Sequence, residues 1–170
     1  SSPALTADGN SLVIGQGLHP DYDSELVCLN AKTGKVKWTI ATPLHIEGSP
    51  AIQGDIVVAG IGAVEDATTH KPKAHSDPEK DKNPGLVMAV QISTGKVLWK
   101  QTVNDPESSP AIADGVVYIG SGFNGNAVVA LDLKSGKKLW QTATPHPATG
   151  AISIYKNTII NTNKRKNNVR

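Results

Sequence analysis

The side chains with most potential for chemistry in this sequence are its histidines and the carboxylates near them. Imidazole nitrogens bind transition metals or change charge near neutral pH, and carboxylates bind cations. A group that combines both kinds of side chain could bind a metal ion or an anionic cofactor. The five histidines are His19, His45, His70, His75 and His146.

None of these histidines falls in a spacing that is typical of metal sites. The sequence has no HxxxH, HExxH or CxxC pattern, and its single cysteine, Cys28, provides no pair of thiolates. His70, His75 and Asp77 are the nearest to a metal set, but they lie in a segment rich in proline and lysine, 63–84. For a long segment without its own regular structure, we favour a contact with a partner protein over a metal site.

The elements that must position these side chains form an internal repeat. Three segments contain a Gly followed four residues later by Trp, and they alternate with segments that begin with Ser-Pro-Ala or a close variant. The Gly–Trp pairs are Gly34 and Trp38, Gly95 and Trp99, and Gly136 and Trp140. A repeat of about 40 residues determines the architecture before any local motif is considered.

Each repeat predicts four short antiparallel strands. Its two halves are rich in Val and Ile, and a Gly-containing turn divides each half, as is typical of β-hairpins. We expect the Gly of each TGK or SGK turn to adopt a positive φ, beside Asn30 or Asp132, whose side chain can bond to the turn. Gln91 replaces this residue in the second repeat. Four strands in 40 residues predict an all-β fold, a β-propeller of four-stranded antiparallel blades.

The segment AVVALDLKSGKKLW at 127–140 resembles the tryptophan-docking motif of the PQQ-like β-propeller repeats. This family includes quinoprotein dehydrogenases and non-enzymatic relatives such as the outer-membrane assembly lipoprotein BamB. The resemblance covers nearly the whole chain. It implies that Trp38, Trp99 and Trp140 pack flat between neighbouring blades, where the Gly and Ala of the motif leave room. One fold hosts unrelated activities, so the resemblance is far more specific for fold than for function.

The repeats divide the chain into about three and a half blades. The predicted boundaries are 1–40, 48–101 with the insertion 63–84, 108–142, and a half blade at 149–163. Propellers of this family usually have seven or eight blades. We therefore expect the remaining half to be further chain outside these 170 residues, to have been cleaved off, or to be provided by a second copy.

The order of turns in a propeller blade places all five histidines on one face. The connections between blades, and those between the second and third strands, share the end that usually carries ligands. His19, His45 and His146 are the candidates for cofactor binding, and His45 and His146 should lie nearest the central channel, where a small ligand could bind. The carboxylates on this face are Asp21, Asp23, Glu25, Glu47, Asp66 and Asp77.

Composition limits the partners and the location. A net charge of only +2 argues against a nucleic-acid surface, and no apolar run is long enough for a transmembrane segment. Cys28 aligns with Ala89 and Ala130, which predicts a small buried residue. The sequence begins at Ser1 without a signal peptide, which indicates a longer precursor or a processed chain. A periplasmic or otherwise exported location is an expectation from the family resemblance.

Two functions are open at this point. The favoured one is a binding or interaction scaffold in the cell envelope. The alternative is a fragment of a PQQ-dependent alcohol or sugar dehydrogenase, with PQQ and Ca2+ as cofactors and the catalytic residues outside this segment. In such enzymes the family uses a vicinal Cys-Cys pair, an aromatic floor under the quinone, an Asp base and a carboxylate/Asn calcium site. No residue here can be matched to these roles, so no catalytic residue is assigned.

Overall fold

The computed structural model describes residues 1–16, 24–62, 85–122, 125–156 and 158–161. Every regular element within these ranges is a β-strand, and none of the described residues forms a helix that could cross a membrane. The predicted all-β class is therefore confirmed. The candidates His19, His70, His75 and Asp77 lie outside the described residues, as does the insertion 63–84.

In the described part of the chain the strands form three four-stranded antiparallel sheets and one hairpin, as the repeat predicts. The first sheet contains β1 (Ala4–Leu5), β2 (Ser11–Gly15), β3 (Glu25–Asn30) and β4 (Val36–Ala41). The second contains β5 (Ala51–Gln53), β6 (Ile56–Ile61), β7 (Leu86–Gln91) and β8 (Val97–Thr102). The third contains β9 (Ala111–Ala113), β10 (Val116–Ser121), β11 (Ala127–Asp132) and β12 (Lys138–Ala143), and the hairpin contains β13 (Ser153–Tyr155) and β14 (Thr158–Ile160).

The sheets are arranged as blades with their first strands side by side. Strand β5 contacts both β1 and β9, and β9 also contacts β13. Within each sheet the four strands are neighbours in sequence order, and consecutive strands pair antiparallel. This is the topology of a partial β-propeller.

The three turns that join the third and fourth strands share one backbone conformation. Gly34, Gly95 and Gly136 have φ values of 71°, 72° and 71°. The N–H of each donates a 2.8 Å hydrogen bond to the carbonyl of the residue four positions earlier. A shift in strand register accompanies each turn, which marks a β-bulge. Glycine adopts this left-handed conformation without the steric cost that a Cβ atom brings.

The side chain that caps this turn differs in the second blade. In the first and third blades, Asn30 and Asp132 accept hydrogen bonds from backbone N–H groups of the turn at 2.8–3.0 Å. At the corresponding place, Gln91 instead accepts a bond from a threonine hydroxyl of the turn. The turn between β5 and β6 provides the missing cap, because Asp55 accepts bonds from the N–H and the hydroxyl of Ser93 at 2.8 and 2.6 Å.

The hydrophobic core lies between the sheets. Side chains alternate along a strand between the two faces of a sheet, and in the second sheet both faces are apolar. In β6, Val57, Ala59 and Ile61 belong to a buried cluster shared with the first sheet, whereas Val58 belongs to a second cluster shared with the third. The middle blade is therefore stabilised by a neighbour on each side.

Trp99 of the second sheet docks onto the turn of the third sheet. Its indole Nε1–H donates a 2.8 Å hydrogen bond to the carbonyl of Leu133, and only 9% of the residue is exposed. A Cβ atom on Gly136 would lie 2.5 Å from Cδ2 of this ring. The glycine is thus required both for its positive φ and for the close approach of the indole.

Trp38 makes the same contact one blade earlier, whereas Trp140 does not. Trp38 Nε1 donates to the carbonyl of Ile92 at 2.7 Å, and a Cβ on Gly95 would lie 2.8 Å from its Cγ. Trp140 departs from the expected packing between blades. It is 40% exposed and packs against Tyr118 of its own sheet, with ring centroids 5.9 Å apart. The hairpin β13–β14 that follows it brings no docking turn among the described residues.

We predict that the tryptophans contribute unequally to the stability of the 170-residue chain. Trp99→Ala should lower the free energy of unfolding by ~3–5 kcal/mol, because it removes a buried aromatic ring and leaves a cavity. Trp140→Ala should cost about half of that or less, because much of its ring already contacts water. Urea unfolding followed by far-UV circular dichroism measures both values. If Trp99→Ala and Trp140→Ala lowered the free energy of unfolding equally, docking onto the next blade would contribute nothing to stability.

Asp8 in the turn between β1 and β2 carries a strongly bonded carboxylate. The hydroxyl of Thr6 donates to Oδ1 at 2.6 Å, and the backbone and side-chain N–H groups of Asn10 donate at 3.0 and 2.8 Å. These bonds, the one from Thr6 above all, lower the pKa of Asp8 from 3.8 to about 2. They favour the charged form of the carboxyl group.

This carboxylate predicts a pH-dependent contribution to stability. Because the folded-state pKa is depressed, the contribution is present above pH 3.8 and is lost as the pH falls through about 2. Asp8→Asn should therefore lower the urea midpoint slightly at pH 6, and this difference should shrink between pH 4 and pH 2. A difference that stays constant over this range would contradict the assigned role.

Candidate functional site

Of the histidines predicted for the ligand face, the structure describes His45 and His146. Both lie in connections that lead from the last strand of one sheet to the first strand of the next. The hydroxyls of Thr42 and Thr144 donate to the carbonyls of Leu44 and His146 respectively, so His146 corresponds to Leu44 and lies one position before the equivalent of His45. His45 is fully buried, whereas His146 is half-buried.

His45 joins two glutamates that come from different connections. Its Nε2 atom lies 3.3 Å from Oε1 of Glu107 and 3.6 Å from Oε1 of Glu47. One ligand atom from each of the three residues lies within 4.8 Å of the others. The Glu107 side chain is 9% exposed and that of Glu47 is 43% exposed. We refer to His45, Glu47 and Glu107 as the His–Glu–Glu cluster.

The repeat itself places the two glutamates side by side. Glu47 and Glu107 both stand two residues before the serine of a Ser-Pro-Ala segment, Ser49 or Ser109. The N–H of Ser49 donates to Oγ of Ser109 at 2.9 Å, and that of Ser2 donates to Oγ of Ser49 at 3.0 Å. These bonds tie the starts of the innermost strands together, so residues at equal distances before them become neighbours.

Two glycines leave the space that the cluster occupies. A Cβ atom on Gly62 would lie 3.3 Å from Nε2 of His45 and 2.7 Å from Cγ of Glu107. The N–H of Gly62 also donates to the carbonyl of His45 at 3.0 Å, which fixes the loop that carries the imidazole. A Cβ on Gly48 would lie 2.5 Å from the carbonyl oxygen of Ser108, so this glycine lets the two connections approach.

The cluster can bind positive charge in two ways. Two carboxylates around one imidazole stabilise a protonated histidine through charge-assisted hydrogen bonds. With the imidazole neutral, Nε2 and the two carboxylate oxygens are instead a set of ligands for a cation. The cluster could therefore hold a metal ion.

The sequence pattern indicates His45 and places Glu47 on the same face, but it does not single out Glu107. The signal was available, because Glu107 occupies the same place in its repeat as Glu47. The sequence could not show that equivalent positions of neighbouring repeats lie side by side, because this contact joins residues about 60 positions apart.

Cys28 is buried and faces Trp38 across the β3–β4 pair, as Ala89 faces Trp99 in the second sheet. Burial raises the pKa of its thiol, which disfavours the nucleophilic thiolate. The expected role as a small buried residue therefore agrees with its surroundings.

An open groove of about 570 Å³ lies at the opposite end of the first two blades. Its charged groups bond to neighbours within the groove wall. Lys37 Nζ donates to Oγ of Ser11 at 2.6 Å, and the carboxylate of Asp55 caps Ser93. These bonds give the polar groups of the groove a structural role.

Comparison with known proteins agrees with the fold and its repeats. The chain matches the family model of the outer membrane protein assembly factor BamB over residues 1–69 and 81–165. It is 31% identical over 134 residues to the outer membrane protein assembly factor BamB of Yersinia pestis, which covers 68% of this chain and 28% of that protein. It is 30% identical over 171 residues to a polyvinylalcohol dehydrogenase of a Pseudomonas species, which covers 88% of this chain and 25% of that protein.

A solved structure shows the same fold. The quinohemoprotein alcohol dehydrogenase from Comamonas testosteroni superposes with a TM-score of 0.66 at 18% identity, covering 89% of this chain and 29% of that one. The chain thus spans less than a third of each of these three proteins. Because the family model covers most of its residues and the docking turn recurs in its blades, the chain belongs to the BamB-type family of PQQ-like β-propeller repeats.

Proposed function

We propose that this chain is part of a propeller that acts as a protein-binding scaffold in the cell envelope. The match to the family model of an outer membrane protein assembly factor, over residues 1–69 and 81–165, is the observation that carries this proposal. It supports an exported, periplasmic location and a protein partner. The remaining part of the propeller is a second partner, since a blade in this fold is stabilised by its neighbours.

The described residues do not fit PQQ with Ca2+. The indoles of Trp38 and Trp99 are engaged in docking between blades, and Trp140 packs on Tyr118, so none is placed as a floor for a quinone. Cys28 is the one cysteine of the sequence, so no vicinal pair exists. The cluster that could hold a cation combines an imidazole with two glutamates, whereas the family's calcium site uses carboxylate and Asn oxygens.

The architecture suits a scaffold because it separates rigid elements from variable connections. Hydrogen bonds between serines fix the innermost strands, and docked tryptophans fix the outer parts of the sheets. Connections on such a framework can vary in length and sequence without loss of the fold, which is where binding surfaces usually arise. We place the partner surface at the end that carries His45, and we include the insertion 63–84 in it.

A dehydrogenase fragment is the second candidate. The 30% identity to a polyvinylalcohol dehydrogenase over 88% of this chain favours it. In that case the chain would contribute blades to a larger enzyme, and PQQ, Ca2+ and the catalytic residues would be held by the rest of the protein.

Deletion of the encoding gene tests the scaffold directly. We expect the amount of outer-membrane proteins, measured by quantitative mass spectrometry of outer-membrane fractions, to fall and to recover when the intact protein is expressed again. Replacing residues 63–84 by a short Gly-Ser linker should preserve the melting temperature but reduce this recovery. Lys35→Ala, in a turn at the opposite end, is the matched control and should restore fully.

Enzyme assays distinguish the second candidate. The purified intact protein, supplied with PQQ and Ca2+, should show no dye-linked oxidation of polyvinyl alcohol or of primary alcohols. Such oxidation, together with unchanged outer-membrane proteins in the deletion strain, would contradict the scaffold and favour the dehydrogenase.

A further inference from the structure

The His–Glu–Glu cluster brings negative charge together around a buried imidazole. Two carboxylates and Nε2 of His45 converge within 4.8 Å, at a place where His45 is fully buried and Glu107 is nearly so. Carboxylates brought this close repel each other unless a positive charge lies between them. A cation held between the three groups, which come from two separate connections, would remove this repulsion.

The cluster is not a general property of the repeat. The N–H of Gly62 bonds to the carbonyl of His45 in the first connection, and that of Gly122 bonds to the carbonyl of Asp105 in the second. His45 and Asp105 therefore occupy equivalent positions. In the third connection Pro147 is equivalent to His45, and Thr149 is equivalent to Glu47 and Glu107. The fold therefore forms this connection with neither an imidazole nor a carboxylate at these two positions, so packing alone does not require His45 and the glutamates.

We propose that His45, Glu47 and Glu107 bind a divalent transition metal, with Zn2+ as the best match. Zinc bound at ~2.0–2.2 Å in tetrahedral geometry holds its ligand atoms ~3.3–3.6 Å apart. The two separations from Nε2 of His45, 3.3 and 3.6 Å, fall in this range. Three protein ligands leave one position for water.

The chemistry of the ligands selects against other cations. Ca2+ and Mg2+ prefer sets made only of oxygen atoms, with six or more ligands. An imidazole nitrogen favours zinc and neighbouring transition metals, and the fully buried His45 is the central member of this set. Oxygen-ligated calcium is therefore the competitor that an experiment must exclude.

Metal binding would join the connections on both sides of the second blade. Glu47 and His45 precede β5, and Glu107 precedes β9, so one ion would link the entries to adjacent blades. The site would act beside the hydrogen bond between Ser49 and Ser109, at the end of the sheets away from the docking turns. This inference does not depend on the proposed function.

Calorimetric titration of the intact protein, first freed of metal with a chelator, tests the site. We expect one equivalent of Zn2+ to bind and to raise the melting temperature. Glu107→Gln and the more exposed Glu47→Gln should each weaken binding by at least ~10–100-fold, the loss that even residues supporting a metal ligand typically cause. X-ray absorption should show nitrogen and oxygen ligands at ~2.0–2.2 Å, one imidazole and no sulfur.

Variants at the other histidines separate this site from adventitious binding. His146→Asn, and a double variant of His70→Asn and His75→Asn, should retain the single tight site. Circular dichroism should show that Glu47→Gln and Glu107→Gln remain folded. The proposal is overturned if folded Glu107→Gln binds Zn2+ as tightly as the parent, if the histidine variants abolish binding, if Ca2+ binds as tightly as Zn2+, or if Zn2+ shows no saturable binding.

Discussion

The contact between an indole ring and the glycine of the next blade's turn sets the distance between neighbouring sheets. The ring of Trp99 lies so close to Gly136 that a single methyl group would overlap it, and its N–H has a carbonyl of the next sheet as its partner. The contact thus combines the burial of a large apolar surface with a directional bond. Since the core of this protein lies between its sheets, the strands can bury their apolar faces only when this distance is correct.

The two ends of each sheet depend on each other through this spacing. At the inner end, serine N–H groups bond to the hydroxyl of the next blade's serine, which requires the same distance between sheets. The His–Glu–Glu cluster is a consequence, because Glu47 and Glu107 become neighbours only when the sheets stand in register. At the two ends of the array the contact lacks one of its partners. Trp140 has no docking turn among the described residues and exposes much of its ring, and no indole lies against Gly34, where nothing is within 4 Å of a Cβ atom.

The sequence was sufficient for the local features and insufficient for those that join distant residues. The spacing of Gly95 and Trp99 predicts the strands, the bulged turn and the positive φ, because these depend on a few consecutive residues. It did not predict that Asp55 caps the turn at Gln91, since this bond spans two hairpins. The sequence does not indicate Glu107 for the same reason. Its partners in the cluster are more than 50 residues away, and single-sequence patterns do not contain such contacts.

A double-mutant cycle on Trp99 and Gly136 tests the docking contact most directly. In the parent chain, Gly136→Ala should cost clearly more than the ~1 kcal/mol expected for strain at positive φ, because the methyl group also overlaps the ring. In the Trp99→Ala background it should cost that strain alone, a coupling of ~1–3 kcal/mol. Gly34→Ala, where no atom lies within 4 Å, measures the strain by itself. Equal costs of Gly136→Ala in both backgrounds would show that the contact between Trp99 and Gly136 does not set the fit of the two blades.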